Sequence, residues 1–436
     1  MIANFGSLQG PMDGTSAVAR MIDDEFDEED VGVAFICGSS DDGDLRNHLK
    51  LEMQQNQSYE FSITKSTTFL RMDMWYLDTD EVEFEVSIDG TSYTIPSLVG
   101  PADSQSSNEG LFTYYHNGSN LDFFGAENSK NELLIDFNGS FSKIDVKVIA
   151  KQIFNGQLNA TLNPSNIFLP GSNEFSNFTT EGSIWDLAAA RNNICPNSYI
   201  LRDDWMSIDG NSYSYPGHEN GVGSLWTGSG IGPTVDGRLG IDISVPGNIN
   251  FGAYAKDSYF AFLTANKIED GDNPYGVIAA VSGANPVLAG VVALILEADP
   301  NLSAPEIKEI LQNTARADSF TGIVPNTTWG YGKLDVLAAL DEVIITNVDD
   351  KNITSEEFKI MNPVIRDLLI MPEIDVTGLS TLRILNTNGK EQIVKEVNSI
   401  STGSSIQINM ENLSSGLYYL VFESQDRIWT KKVVKQ

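Results

Sequence analysis

The chain has 436 residues, 41% of them hydrophobic and 20% charged, which is ordinary for about two to four folded domains and unlike a disordered polypeptide. A formal net charge of −33 excludes a nucleic-acid partner, because a polyanion is repelled by such a surface. No apolar run reaches the roughly 20 residues needed to cross a bilayer, so no membrane span is expected.

The two cysteines, Cys37 and Cys195, lie in the apolar strand-like runs GVAFICG and NNICPNSYI, and buried free thiols are the favoured reading. From Lys351 to Gln436 there are ten basic and ten acidic residues, so the acidic excess sits in the first 350 and marks a boundary.

In chain order, residues 1–44 read as a loop, an amphipathic helix in TSAVARMIDDEF capped by Asp13 or Thr15, and a buried strand in VGVAFIC. Residues 45–163 switch to period two in YEFSITKS, TFLRMDMWYL, EVEFEVSID, ELLIDFN and KIDVKVIA, the pattern of an antiparallel β-sandwich of jelly-roll type. Residues 164–345 mix helices (TEGSIWDLAAARNN and 284–298) with a strand in LGIDISVPG, the pattern of an α/β layer structure. Ser303 and Glu306 there form a capping box with Pro305 in the first turn. After a linker at 346–361, residues 362–436 return to short alternating strands, a second small sandwich of immunoglobulin-like type.

Several segments carry a family resemblance. VSGANPVLAG places Ser282, Ala284, Pro286, Ala289 and Gly290 in the nucleophile pattern G-T-S-x-A-x-P-x-x-A-G of subtilisin-like serine proteases, with Ala280 and Val281 departing from its Gly and Thr. GPTVDGRLGIDISVPG and WGYGKLDVLAAL resemble two further subtilase runs, and NFGSLQGPMDGTS resembles the substrate-strand segment. The resemblance covers residues 1–40 and 165–345 in the family's order and implies a partial parallel-sheet α/β domain with an inserted jelly roll. It makes Ser282 the nucleophile, gives Asn4, Phe5 and Gly6 the role of pairing with substrate backbone, and puts Ser39 where the family keeps an oxyanion-binding Asn. NPVIRDLLI, LRILNTNGKEQ, LSSGLYYLVF and the terminal KKVVK resemble the type IX secretion sorting domain of Bacteroidetes, with Asn362 and Pro363 opening it, Gly389 in a hairpin turn and Gly416 starting the last hairpin.

A serine nucleophile needs a base and a third group to orient that base. The family's H-G-T-H and D-[ST]-G are absent: His48 and His116 lie in the inserted sandwich, and His218, in PGHEN, reads as a loop histidine rather than a recruited base. The resemblance therefore implies a secreted or cell-surface serine endopeptidase acting on protein or peptide, inactive in this chain alone, with the signal peptide and the other triad members in a missing N-terminal part. It further implies an unpaired sheet edge. A degenerate pseudoprotease acting as a surface binding module is the alternative. No cofactor is expected; SDDGDL and EDGDNP offer oxygen ligands for Ca²⁺ but lack full loop spacing, so a solvated acidic surface is favoured there.

Overall fold

The structure, a computed structural model, describes all residues except 122–127, 142, 164–172, 216, 219, 272–273, 347–357, 362, 388 and 425–426. The chain divides into two units, Met1–Val343 and Ile344–Gln436.

A parallel sheet organises the first unit. β1 (Ile2–Ala3), β2 (Phe35–Cys37) and β3 (Asn193–Ile194) are parallel neighbours in that order. The chain continues past Cys195 into β4 (Pro196–Ile200), which pairs in parallel with β5 (Ile243–Asn248). Among the described residues β1 has a strand neighbour on one side only. Beyond β5, the strands β6 (Asn250–Ala253), β7 (Lys267–Glu269) and β8 (Tyr275–Ile278), with the one-turn helix α2 (Tyr259–Phe262) between β6 and β7, make a small antiparallel sheet in the order β6-β8-β7.

The run AFIC is apolar at every position because both faces of β2 are buried. Ala34 and Ile36 join Ile194, Ile243 and Val245 beneath α3 (Val281–Ala298), α4 (Ala304–Asn313) and α5 (Val336–Thr346). Phe35 and Cys37 pack on the opposite face with Ala19 and Ile22 of α1 (Ala17–Glu25). Cys37 and Cys195 are both buried and free. By length and composition α3 could cross a membrane, with a mean hydropathy of 1.6 over 18 residues. Its Ala284, Leu288, Val292 and Ile295 instead fill this core.

Two local expectations are corrected. Ser16, not Asp13 or Thr15, caps α1 by accepting from the Ala19 N–H. Asp13 instead accepts from the N–H and hydroxyl of Thr15 and pairs with Lys130. TEGSIWDLAAARNN forms only the 3₁₀ turn Leu187–Ala189, because its backbone is already engaged: Ser183 donates to the Ile231 carbonyl, Trp185 to Ser39, and the Asn193 amide donates to the Ala188 carbonyl. The Ser303–Glu306 capping box is present at α4.

Between β2 and β3 the chain builds two antiparallel sheets on one core. The first orders His48–Glu52, Gln157–Asn163, Phe69–Leu77, Lys130–Asn138, Phe112–Asn117 and Ser104–Asn108. The second orders Asn173–Phe175, Ser58–Lys65, Lys143–Gln152, Glu81–Ile88 and Thr91–Ile95. Alternate residues such as Leu70, Met72, Met74 and Tyr76 point inward to meet Val82, Phe84 and Val86.

The reverse face of the first sheet holds the segment that follows β1. The Thr161 hydroxyl donates to the Leu8 carbonyl at 2.9 Å, and the Gly10 N–H donates to Asp73 at 2.8 Å. Asp186 takes the Met12 N–H at 2.9 Å. Burial pushes both carboxyls up to about 6, against the lowering effect of the Gly10 N–H on Asp73 and of the Met12 N–H on Asp186, and Asp186 also feels the charges of Asp13 and Asp73.

The second unit pairs the sheet Phe358–Ile360, Asp367–Pro372 and Ile406–Asn409 with the sheet Glu391–Ile400, Val376–Asn386, Gly416–Ser424 and Arg427–Lys435 around Phe358, Leu382, Ile384, Phe422 and Trp429. Gly389 sits in the hairpin turn at φ +69°, and Gly416 opens the last hairpin. Asn362 and most of the expected linker 346–361 lie outside the described residues.

Carboxyls whose folded pKa is raised contribute stability below the unfolded value near 4 and lose it as pH rises through about 6. Denaturation midpoints of the full chain should therefore fall between about pH 4 and 7 through these two groups. An Asp73→Asn variant keeps an acceptor for Gly10 and should shrink that fall, gaining on the order of 2 kcal/mol over the parent at pH 8 in chemical denaturation.

Candidate active site around Ser282

α3 begins where three strand ends meet, and small residues set how closely it approaches them. A Cβ on Gly247 would stand 2.6 Å from the Ala284 nitrogen, and one on Gly38 would stand 2.3 Å from a Val281 methyl. Only glycine at these positions lets the helix start rest directly on the ends of β2 and β5.

Ser282 occupies the first turn and is half-buried. Pro286, four residues on, has no N–H to donate to the Ser282 carbonyl. The side-chain amide of Asn4 takes that acceptor at 3.3 Å, while Asn285 donates to the Asn4 side-chain oxygen. On the other side of the turn, Asn250 donates to the Gly283 carbonyl at 3.2 Å. The Ser282 hydroxyl itself bonds to no described residue. It is therefore a free hydroxyl at a helix N-terminus, where N–H groups and the helix dipole favour developing negative charge.

The residues around it are arranged less favourably for hydrolysis. Ser39, at the expected oxyanion position, is fully buried with its hydroxyl lacking a partner among the described residues. Asp41, two residues on, accepts the Val281 N–H at 2.9 Å and thus sets a carboxylate at the start of α3. Burial pushes that carboxyl up to about 6, with the neighbouring Asp42 charge adding to the rise. Asp42 is held by Trp185 at 2.6 Å and Asn47 at 3.0 Å. Two of the three acids of the SDDGDL loop, Asp41 and Asp42, thus have protein donors; EDGDNP lies partly outside the described residues. Among the described residues no group of three or more His, Cys, Asp or Glu side chains is placed to hold a metal ion.

No histidine reaches Ser282. His48 is buried against the Gly182 carbonyl and Asn159, and His116 against the Tyr76 hydroxyl and the Pro96 carbonyl. Burial lowers both pKa values, that of His116 to about 4. His218 is half-buried in its loop, with neither ring nitrogen bonded to a described residue. Asn4, Phe5 and Gly6 are exposed beyond β1, as a strip open to an extended peptide requires. Lys333 of WGYGK plays a different part: it is buried among the rings of Tyr199, Phe320 and Trp329 and bonds Asp318 at 2.6 Å, holding the chain that leads into α5.

Residues 217–332, which include Ser282, match the subtilase family, and residues 362–436 match the secretion system C-terminal sorting domain. The chain carries a subtilase domain followed by a sorting domain. Over 85 residues it is 36% identical to the serine protease AprX of Bacillus subtilis (strain 168), a match that spans 20% of this chain and 19% of that protein. The structure of the CspB protease of Clostridium perfringens is similar in fold, with a TM-score of 0.59 at 16% identity over 80% of this chain and 67% of that one.

The subtilase domain also stores strain beside Ser282. Ala280 adopts φ +64° and ψ −167°, a region that essentially only glycine enters without cost. Ala280→Gly relieves that strain against the greater flexibility of glycine in the unfolded chain. It should stabilise the protein by about 1 kcal/mol in chemical denaturation.

Proposed function

We propose that the chain supplies the nucleophile segment of a secreted subtilisin-like serine endopeptidase. Ser282 is the nucleophile position, protein or peptide is the substrate, and Asn4, Phe5 and Gly6 receive the substrate backbone. Residues 362–436 direct export to the surface or medium through type IX machinery. The observation that carries the reading is the free Ser282 hydroxyl at the N-terminus of α3, in a turn whose Ser282 and Gly283 carbonyls accept from Asn4 and Asn250. Alone, the chain does not hydrolyse peptides: His48 and His116 have both ring nitrogens engaged elsewhere, and nothing among the described residues orients a base toward Ser282. Removal of triad members is known from a subtilisin example to leave only a small residual acceleration.

Two observations favour a second reading, a pseudoprotease that binds peptides without cutting them. Ser39 is buried, and the Asp41 carboxylate occupies the Val281 N–H beside the position where a negative oxygen would form.

A fluorophosphonate probe on the purified full chain tests both. The chain alone should show no Ser282-dependent labelling, and co-expression with a polypeptide carrying the D-[ST]-G and H-G-T-H segments should produce labelling that Ser282→Ala abolishes. Labelling of the chain alone would contradict its inactivity. Absence of labelling in the co-expressed form would leave the binding module.

A further inference from the structure

The small sheet that leads into Ser282 displays an unusual density of exposed rings. Tyr259 is 72% exposed, Phe260 54% and Phe262 73%, all on α2. Phe260 packs against Tyr254 and Tyr259 with ring centroids 5.9 and 5.7 Å apart, and the Tyr254 ring in turn lies over Gly276 of β8. Large exposed apolar groups gathered in one element mark an interaction site far more often than scattered ones do. They form no part of the core that anchors this sheet, which consists of Trp205, Ile249 and Val277.

The position of this sheet says what it meets. β1 and β5 lie at opposite ends of the strand order β1, β2, β3 with its continuation β4, then β5. Asn4 follows β1 and Asn250 follows β5, and both reach the first turn of α3, at Ser282 and Gly283 respectively. A peptide that lies along Asn4, Phe5 and Gly6 and presents a carbonyl to Ser282 must continue toward the other end of the sheet. Beyond Asn250 the chain runs into β6 and then α2, which carries the three rings. Among the described residues β6 is an outer strand of its sheet and also offers a backbone edge to an extended segment.

We infer that Tyr259, Phe260 and Phe262 form a ledge that binds the part of a peptide beyond the bond facing Ser282, selecting large apolar or aromatic side chains there. The inference rests on the peptide-binding reading of the Ser282 site, and it holds whether or not the chain cuts what it binds. Flat aromatic rings offer wide apolar contact at small entropic cost, and ring–ring contacts add to plain burial. The chain's excess of negative charge makes an acidic peptide a poorer ligand than a neutral or basic one of the same apolar content.

Titration calorimetry on the full chain carrying Ser282→Ala separates this inference from the question of hydrolysis. The probes are two blocked decapeptides with the same first half, the second half containing Phe, Leu and Trp in one and Gly and Ser in the other. The aromatic peptide should bind at least about tenfold tighter, a difference that combined Tyr259→Ala, Phe260→Ala and Phe262→Ala substitutions remove. Phe262→Ser alone, at the most exposed ring, should remove part of it and serves as the check should the triple variant misfold. Equal affinities, absence of binding by either peptide, or unchanged discrimination in both variants would overturn the ledge. So would sedimentation showing that the rings pair two copies of the chain and that the variants simply release monomers. Fluorophosphonate labelling reports on Ser282 independently, so either reading can fail while the other stands.

Discussion

Everything at the candidate site depends on how closely α3 approaches the strand ends beneath it. Gly38 at the end of β2 and Gly247 in β5 leave no room for a side chain, and Gly283 in turn lies against the Gly247 carbonyl. That contact brings Ser282 to the surface of the sheet's carboxyl end while the next three turns bury Leu288, Val292 and Ile295. Pro286 then frees the Ser282 carbonyl, which ties the helix to Asn4 and so to the open strip beyond β1. One short segment therefore fixes the hydroxyl, the neighbouring amides and the peptide-facing strip together.

The same turn carries two features that work against hydrolysis. Ala280 holds a backbone conformation suited to glycine, and Asp41 places an acidic group on the N–H just before Ser282. A carboxylate at a helix N-terminus is favourable for the helix and unfavourable for a second negative charge in the same place. The fold is similar to that of a subtilisin-like protease, while the electrostatics of the turn favour a neutral or weakly basic occupant over a forming oxyanion.

Much of this is legible in the sequence where a local rule decides it. The alternation in FLRMDMWYL gives a strand with Met72 and Met74 inward, and Ser303 with Glu306 gives the start of α4. Ser282 is found through a motif whose spacing has a physical basis, since the proline four residues on is what exposes its carbonyl. Other features depend on partners far away in the chain. The bond from Val281 to Asp41 joins residues 240 apart, and nothing near SSDD announces it. The collapse of SIWDLAAA to a single 3₁₀ turn reflects tertiary hydrogen bonds that override a helical pattern. The burial of Ser39 is likewise set by packing around it and not by its own neighbours in sequence. The role of Lys333 emerges only once three rings from separate segments surround it.

The central claim is that Asp41 holds the first N–H of α3 beside a free Ser282. Its most direct test is the amide resonance of Val281 in the deuterated, ¹⁵N-labelled chain, followed from pH 4 to pH 8. The account predicts a large shift with a midpoint near the Asp41 value of about 6, absent in Asp41→Asn. A Val281 amide that does not respond to pH, or that exchanges freely with water, would contradict it.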